Sequence, residues 1–269
     1  MKIITNKKKL IGLINSKKSI GLVPTMGGIH DGHISLIKKS ISQSKKTIVT
    51  IFINKPQFDK KNDFSNYPRV LKKDISVLKK FKIDYLYIPL SKDIYPFGIN
   101  HNIKIDSFGS KLCGKNRPNH FEAIVDVIER FINIIKPSRI YLGEKDMQQL
   151  LIVKQFVKKY YRNIKVVGCK TIREKNGIAF SSRNLLLTKK EKEIASKVYH
   201  LVFYIKKRLI RNKISENSIK NIIYSLGVEK IDYIEIINLN KTTKPFKKYS
   251  FYRIFIAYYI RSVRLIDNI

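Results

Sequence analysis

Residues 20–33 read IGLVPTMGGIHDGH, and this stretch decides the fold because it passes from an apolar strand through a small-residue turn into a helix. The apolar run 20–23 predicts the strand, and the spacing of apolar residues after position 33 predicts an amphipathic helix. His30 and His33 flank the start of that helix. Because the first backbone N–H groups of a helix lack partners within it and lie at its positive end, such a turn attracts phosphate.

Two imidazoles at this turn suit phosphate, since each can donate a hydrogen bond and, when protonated, a proton. Gly27 and Gly28 would let the backbone approach a ligand closely. Two other interpretations compete: a surface loop with two chance histidines, and a metal-binding pair. The metal pair is disfavoured because no Cys or carboxylate cluster lies close in sequence to complete a coordination shell.

The chain is strongly basic, with 55 Lys and Arg residues against 20 Asp and Glu and a net charge of +35. Such a charge is typical of proteins that bind nucleic acid or anionic membranes. The lysines are scattered from end to end, and Lys, Ile and Asn are all abundant, which favours a compositional bias over a binding patch. We expect no specific nucleic-acid partner, although the charge can help to attract anionic substrates.

The chain has 269 residues, enough for one large domain or two ordinary ones. Cys113 and Cys169 have no CxxC spacing, which predicts a reducing compartment and no disulfide. The N-terminus lacks a long apolar segment, and the apolar stretch 254–260 is too short to cross a bilayer. We therefore expect a cytoplasmic protein without a membrane anchor.

Strand-like and helix-like segments alternate along the first 170 residues. The predicted strands are 20–23, 47–54, 85–89, 139–143 and 164–169, and the predicted helices are 68–81, 121–135 and 147–160. This alternation predicts an α/β fold, in which domain 1–170 is a Rossmann-like parallel sheet with helices on both faces.

The pattern changes after residue 170. Asn176-Gly177 predicts a hairpin, and Thr188 with Glu191 forms a capping-box pattern that begins a helical region. The predicted strands near the end of the chain are 232–239, 252–259 and 263–265. We therefore predict a smaller α+β domain over 171–269.

Ligands of such sheets bind at the carboxyl ends of the strands, where three polar segments are predicted to lie. They are PTMGGIHDGH (24–33), NKPQF (54–58) and GEKD (143–146). Lys145 adds a positive charge, and residues 181–183 (Ser-Ser-Arg) add hydroxyl donors and a guanidinium group. Together with the histidines they predict a clamp for a nucleoside triphosphate.

Three amides, Gln57, Gln148 and Gln149, follow two of the predicted strands. Amides suit a substrate that carries hydroxyl and carboxylate groups, because they donate and accept without titrating. Ordinary surface polarity explains them equally well at this point.

Eight segments, in this order, resemble the pantothenate synthetase (pantoate–β-alanine ligase) family over nearly the whole chain. They are PTMGGIHDGH (24–33), IFINKPQF (51–58), YPR (67–69), IYPFG (94–98), RPNHF (117–121), GEKDMQQL (143–150), REKNGIAFSSRN (173–184) and RLIDN (264–268). HxGH alone indicates only the wider nucleotidyltransferase superfamily, whereas HDGH together with GEKD-x-QQ and SSRN is far more specific. The glutamine pair argues against a different nucleotidyltransferase.

The resemblance implies a reaction in two steps. The carboxylate of (R)-pantoate attacks the α-phosphate of ATP, which gives pantoyl adenylate and pyrophosphate. β-Alanine then attacks the activated carbonyl and releases pantothenate and AMP. Mg²⁺ would accompany the ATP. The resemblance also implies a cytoplasmic homodimer that pairs through its N-terminal domain, with the C-terminal domain closing over the site to exclude water.

The same resemblance implies the site residues. The nucleotide site would comprise Met26, Gly27, Gly28, Ile29, His30, Asp31, Gly32, His33, Gly143, Glu144, Lys145, Asp146, Ile172, Phe180, Ser181, Ser182 and Arg183. The catalytic residues would be His33 as proton donor with His30, Lys145, Ser181, Ser182 and Arg183. Gln57 and Gln149 would hold pantoate, with Gln57 also near β-alanine. No metal ligands are assigned.

Several positions depart from the family pattern. The usual Asn-Pro-Met-Gln-Phe is Asn-Lys-Pro-Gln-Phe at 54–58, so the proline is displaced by one position and Lys55 stands near the predicted pantoate pocket. Asn119 stands where the family usually has glycine, and Asn, like glycine, tolerates a left-handed backbone. Residues 122–126 differ from the usual Arg-Gly-Val pattern. Asp74 lies where a carboxylate could meet Mg²⁺ through water.

Overall fold

A computed structural model of the protein describes residues 1–14, 19–208, 216–240 and 251–269. These residues divide into two compact units, Met1–Lys170 and Thr171–Ile269. Each unit contains its own sheet.

The first unit is built on a parallel sheet. Within the described residues its strands are β1 (Lys2–Ile4), β2 (Ile20–Thr25), β3 (Lys46–Ile51), β4 (Tyr85–Tyr87), β5 (Arg139–Gly143) and β6 (Lys165–Cys169). Its helices are α1 (Lys7–Leu13), α2 (Asp31–Gln43), α3 (Lys61–Ser65), α4 (Leu71–Leu78), α5 (Ser91–Ile94), α6 (Cys113–Asn116), α7 (His120–Ile135) and α8 (Met147–Tyr160). The strand order is β1-β4-β3-β2-β5-β6, and each neighbouring pair is parallel, which confirms the predicted α/β class.

The sheet topology identifies where a ligand can bind. From β2 the chain proceeds to β3 and β4 on one side, and β5 and β6 then add on the other side. Open α/β sheets bind ligands outside the carboxyl ends of the strands at such a switch point. The segments 24–33, 54–58 and 143–146 follow β2, β3 and β5, which are neighbours, so all three lie at one edge.

The strand β2 lies at the centre because its side chains are apolar on both faces. Ile20, Leu22 and Val23 are fully buried, as expected for a parallel strand covered on two sides. The strand β1 was not predicted, since three residues with one buried side chain, Ile4, give too short a pattern.

The helix predicted over 68–81 is shorter in the structure, because α4 begins at Leu71 and ends at Leu78. The guanidinium group of Arg69 donates hydrogen bonds to the backbone carbonyls of Phe64, Ser65 and Tyr67. These bonds hold the segment before Leu71 as a loop.

The second unit is α+β, as predicted. Its described elements are α9 (Lys189–Arg208), α10 (Glu216–Ser225) and an antiparallel sheet of β7 (Lys230–Asn238), β8 (Tyr252–Ile260) and β9 (Val263–Asn268). The predicted capping box is present: the Thr188 N–H donates to Glu191 Oε2 at 2.7 Å, and the Glu191 N–H donates to Thr188 Oγ1 at 3.3 Å. None of the helices in the described parts of the chain is both long and apolar enough to cross a membrane.

The hairpin predicted at Asn176-Gly177 is a tight turn closed by one antiparallel bridge between Arg173 and Ala179. Gly177 has a φ of +89°, and a Cβ atom there would lie 2.2 Å from the Tyr199 ring. Both the backbone conformation and the close ring require glycine at this position.

Candidate active site

The turn after β2 leaves the sheet through Thr25 and two left-handed glycines. The Thr25 hydroxyl donates to the Thr50 carbonyl at 2.7 Å and accepts from the Gly27 N–H at 3.2 Å. Gly27 and Gly28 have φ values of 83° and 63°, which side chains with a Cβ rarely adopt. The helix α2 follows at once, with His30 as its N-cap residue. The sequence thus folds here as the strand–turn–helix that it predicts.

The turn is anchored by Asp74 of α4. Its Oδ2 accepts from the Gly28 N–H at 2.9 Å, and its Oδ1 accepts from the Ile29 N–H at 2.8 Å. The side chain is 2% exposed. A Cβ atom at Gly27 would lie 2.9 Å from Asp74 Oδ2, so the glycine makes this approach possible. Because both carboxylate oxygens already accept backbone N–H groups, the contacts of Asp74 are those of an anchor for the turn.

His30 and His33 stack on each other, with ring centroids 4.0 Å apart and an interplanar angle of 26°. Burial lowers the pKa of His30 to about 3, and the nearby charges of His33 and Lys145 lower it further. Burial and the charge of Lys145 lower the pKa of His33 to about 4. Both imidazoles are therefore neutral at physiological pH before a ligand binds.

The segment after β5 comes to these histidines. Glu144, Lys145 and Asp146 form a short 3₁₀ turn before α8, and the Lys145 ammonium lies 3.2 Å from Asp146 Oδ1. The segment lies at the same sheet edge as the histidines because β5 pairs in parallel with β2, and the charge of Lys145 lowers the pKa of both imidazoles. A positive charge beside two neutral donors suits a multiply charged anion.

The segment after β3 reaches the same turn through Gln57. The Gln57 Nε2 amide donates to Met26 Sδ at 3.1 Å. The displaced proline, Pro56, lies in the first turn of a 3₁₀ helix over Lys55–Gln57, a position where its missing N–H costs nothing. Lys55 is exposed, with its ammonium 5.9 Å from the centre of the Phe64 ring.

The backbone carbonyl of Gln57 is held by Arg117 and His120, two residues for which no role in the site was predicted. Arg117 Nη2 donates to it at 3.0 Å, and His120 Nδ1 lies 2.7 Å from it. Because a carbonyl can only accept, His120 Nδ1 carries the proton, and Nε2 accepts from Arg117 Nη1 at 3.1 Å. Asn119, which replaces the usual glycine, has a left-handed φ of 60° at the start of α7. Arg117 and His120 of the RPNHF motif thus fix the backbone of Gln57 by hydrogen bonds.

The two neighbouring amides of α8 differ in their surroundings. Gln148 is buried: its Nε2 donates to the Phe108 and Lys111 carbonyls at 2.8 and 2.7 Å, and its Oε1 accepts from the Cys113 N–H at 3.1 Å. Gln149 is half-buried. Gln148 therefore fixes a loop, and Gln149 is the better candidate for a ligand contact.

The remaining predicted residues belong to the second unit. The Phe180 N–H donates to the Ile172 carbonyl at 3.0 Å, and the Ser181 hydroxyl accepts from the Arg183 N–H at 3.2 Å. Ser182 begins the 3₁₀ helix Ser182–Leu186. Asn184, which the prediction omitted, donates to Glu174 Oε1 at 3.0 Å and to the Ala179 carbonyl at 3.1 Å. Within this unit the predicted residues are therefore neighbours.

Comparisons with known proteins agree with these observations. The family model described as pantoate-beta-alanine ligase matches residues 2–269. A pantothenate synthetase of Clostridium botulinum is 43% identical over 254 residues, which cover 93% of this chain and 90% of the relative. One from Francisella tularensis subsp. novicida is 41% identical, covering 100% of this chain and 97% of the relative.

Solved structures show the same similarity. The pantoate-beta-alanine ligase of Francisella tularensis, complexed with beta-gamma ATP and beta-alanine, has a TM-score of 0.83 and 38% identity, covering 100% of this chain and 97% of that one. A pantothenate synthetase of Thermus thermophilus has a TM-score of 0.91 and 27% identity, covering 100% of this chain and 99% of that one. The chain therefore belongs to the pantoate–β-alanine ligase family, and it is an enzyme that uses ATP to join pantoate to β-alanine.

Proposed function

We propose that the turn 24–33, Gln57 and residues 143–146 form the site at which pantoate is activated as pantoyl adenylate. The observation that carries the proposal is the 3.1 Å contact between Gln57 Nε2 and Met26 Sδ. It joins an amide suited to a hydroxy acid to the turn suited to phosphate. In the first step a pantoate carboxylate oxygen bonds to the α-phosphorus of ATP as the bond to pyrophosphate breaks. In the second step the β-alanine amine, in its neutral form, bonds to the pantoyl carbonyl carbon, the bond from that carbon to the AMP oxygen breaks, and the nitrogen releases one proton to solvent.

The residues around the phosphates would act by position and charge. Lys145 and the N-terminus of α2 would stabilise the negative charge that develops on the departing pyrophosphate. Without a ligand, burial keeps the pKa values of His30 and His33 low, so both imidazoles are neutral. The negative charge of a bound triphosphate would raise the pKa of His33, which in that complex would carry a proton and give it to pyrophosphate.

The low pKa of His33 predicts a pH-dependent stability in the absence of ligand. Its pKa in the folded chain, about 4, is below the ordinary 6.5, so between these values the unfolded chain binds a proton that the folded chain does not. Above the ordinary pKa of 6.5 both states are neutral, and His33 does not reduce the unfolding free energy. The unfolding free energy then falls as the pH is lowered toward 4, because only the unfolded chain gains the proton. Lowering the pH from about 7 to about 5 should cost about 1–2 kcal/mol of unfolding free energy at this site.

The measurement is denaturant unfolding of the wild type and His33→Gln at both pH values. The variant should lose less stability on acidification than the wild type. His101→Gln, at an exposed position, should behave as the wild type does. An identical pH dependence in the wild type and His33→Gln would contradict the assigned pKa.

A second prediction concerns Gln57. Gln57→Ala should raise the KM for pantoate about tenfold or more and change the KM for ATP much less, because it removes a hydrogen bond to the acid substrate. Steady-state kinetics, with each substrate varied in turn, measures the KM for pantoate and the KM for ATP separately. Gln155→Ala, at an exposed position of α8, is the control and should leave both constants unchanged. Equal effects on pantoate and ATP would count against this role.

We propose that Mg²⁺ arrives on ATP as part of the substrate. Among the described residues no group of three or more His, Cys, Asp or Glu side chains could hold a metal ion. The roles of Gln149, Ile172, Phe180, Ser181, Ser182 and Arg183 are proposed on their chemistry, since amide, hydroxyl and guanidinium donors suit carboxylate and phosphate oxygens.

We further propose that the enzyme is a cytoplasmic homodimer, as the resemblance to the family implies. Cys113 and Cys169 are both buried thiols, which is consistent with a reducing compartment. Light scattering on the purified protein tests the oligomeric state, and a monomer at micromolar concentration would exclude the dimer.

The deciding experiment follows oxygen from pantoate to AMP. The enzyme is incubated with Mg²⁺, ATP, β-alanine and pantoate whose carboxylate carries oxygen-18. An acyl-adenylate intermediate predicts one labelled oxygen in the phosphate of AMP, because that carboxylate oxygen remains on phosphorus when the amide forms. AMP without label would exclude the intermediate, and no AMP release dependent on pantoate and β-alanine would refute the function.

A further inference from the structure

The direction in which the Gln57 amide points determines what it can bind, and the surrounding hydrogen bonds set that direction. An amide presents a donor at one end and an acceptor at the other, so a wrongly turned glutamine would repel the group that it should hold. Its neighbour Asn54 is 1% exposed and is hydrogen-bonded at both ends of its side chain.

The orientation of Asn54 follows from a group that can only accept. Its Nδ2 lies 3.1 Å from the Ala123 carbonyl, so the nitrogen must be on that side. The same Nδ2 donates to Gln57 Oε1 at 3.1 Å, and Asn54 Oδ1 accepts from the Tyr95 hydroxyl at 2.6 Å. Gln57 Nε2 is then left on the side of Met26.

Tyr95 is itself held firmly. The Arg130 guanidinium carbon lies 4.4 Å from the centre of the Tyr95 ring. Arg130 donates to Asp126 Oδ1 at 2.6 Å, to the Ile94 carbonyl at 2.7 Å and to the Gly98 carbonyl at 2.9 Å. Asp126 belongs to the segment that departs from the family pattern. Burial raises the pKa of the Tyr95 hydroxyl and the charge of Asp126 raises it further, so the phenol keeps its proton and donates.

We propose that Tyr95 is a positioning residue, whose hydroxyl acts together with the Ala123 carbonyl to hold Asn54 in the orientation in which Gln57 presents its N–H donor, and not its carbonyl, on the Met26 side of the site. The group bound there is an acceptor, namely a carboxylate or hydroxyl oxygen of the acid substrate. This inference rests on the proposed role of Gln57 in binding pantoate. It assigns a function to the IYPFG motif.

The test is a double-mutant cycle with Tyr95→Phe and Gln57→Ala. Tyr95→Phe keeps the ring against Arg130 and removes only the hydroxyl. It should raise the KM for pantoate about five- to tenfold, the loss expected for one hydrogen bond, and leave the KM for ATP within about twofold. If Tyr95 acts through Gln57, Tyr95→Phe has no further effect on the pantoate KM when Gln57 is already alanine. Additive effects would overturn the proposal.

Tyr87→Phe is the matched control. The Tyr87 hydroxyl is buried and has no hydrogen-bond partner among the described residues, and its ring packs edge-on against Phe131. Removing it should leave the KM for pantoate unchanged. If the KM for pantoate rose equally in Tyr87→Phe, the effect would be a general one on packing, and a specific role for Tyr95 would be refuted.

A second readout does not depend on turnover. The side-chain amide NMR signals of Asn54 and Gln57 should shift in Tyr95→Phe and stay in place in Tyr87→Phe. Unchanged signals in Tyr95→Phe would overturn the proposal even in an active enzyme. A wild type that releases no AMP from pantoate would instead refute the proposed function, and the NMR comparison would still decide the role of Tyr95.

Discussion

His33→Ala should slow the formation of pantoyl adenylate by roughly a hundredfold or more, the scale of a positioned acid or charge stabiliser. His33 lies in the first turn of α2 and stacks on His30, so its loss removes a donor from the phosphate site and exposes the second ring. Single-turnover release of pyrophosphate from ATP and pantoate measures this step without the contribution of β-alanine.

The control for this prediction is His101→Ala, at an exposed position of the same unit. It should leave pyrophosphate release unchanged. A near-normal rate in His33→Ala would refute the role of His33. If ATP binding weakened while the rate at saturation stayed the same, His33 would contribute to ground-state binding only.

Asp74→Asn should have the second large effect. It should lower both the unfolding free energy and the apparent affinity for ATP. The substitution keeps the volume of the side chain but replaces one acceptor oxygen with an NH₂ group, which then faces the N–H of Gly28 or Ile29. A buried N–H without an acceptor, together with the loss of charge-assisted bonds, should cost about 2–4 kcal/mol of unfolding free energy. The loosened turn should also raise the KM for ATP.

Denaturant unfolding and ATP kinetics at a temperature where the variant stays folded measure both effects. Asp106→Asn is the matched control, because Asp106 is exposed and its carboxylate accepts from the Phe108 N–H at 2.8 Å. It should cost about 1 kcal/mol or less. If Asp74 instead acted on Mg²⁺, Asp74→Asn would change the Mg²⁺ dependence of the rate at unchanged stability, which would contradict the anchoring role.

Local patterns predicted much of the first unit. The strand β5 and the helix α8 begin and end at the residues predicted, Arg139–Gly143 and Met147–Tyr160, because their periodicity and their bounding residues are unambiguous. The three polar segments were predicted at one edge because parallel strands present their carboxyl ends together. The predicted start of α4 was wrong because the side chain of Arg69 hydrogen-bonds to the backbone before the helix and holds that segment as a loop.

The sequence by itself determined the strand–turn–helix at 20–33, the class of sheet and the residue types of the proposed phosphate site, since these follow from local patterns of apolar and polar residues. Only the tertiary structure decided that Asp74 anchors the turn, that Gln148 fixes a loop, and that the Tyr95 hydroxyl donates to Asn54. Asp74 and Ile29 are 45 positions apart, and Tyr95 and Asn54 are 41 apart. Buried polar groups must find partners wherever the folded chain brings them, and the low histidine pKa values arise from burial, so neither is encoded in local spacing.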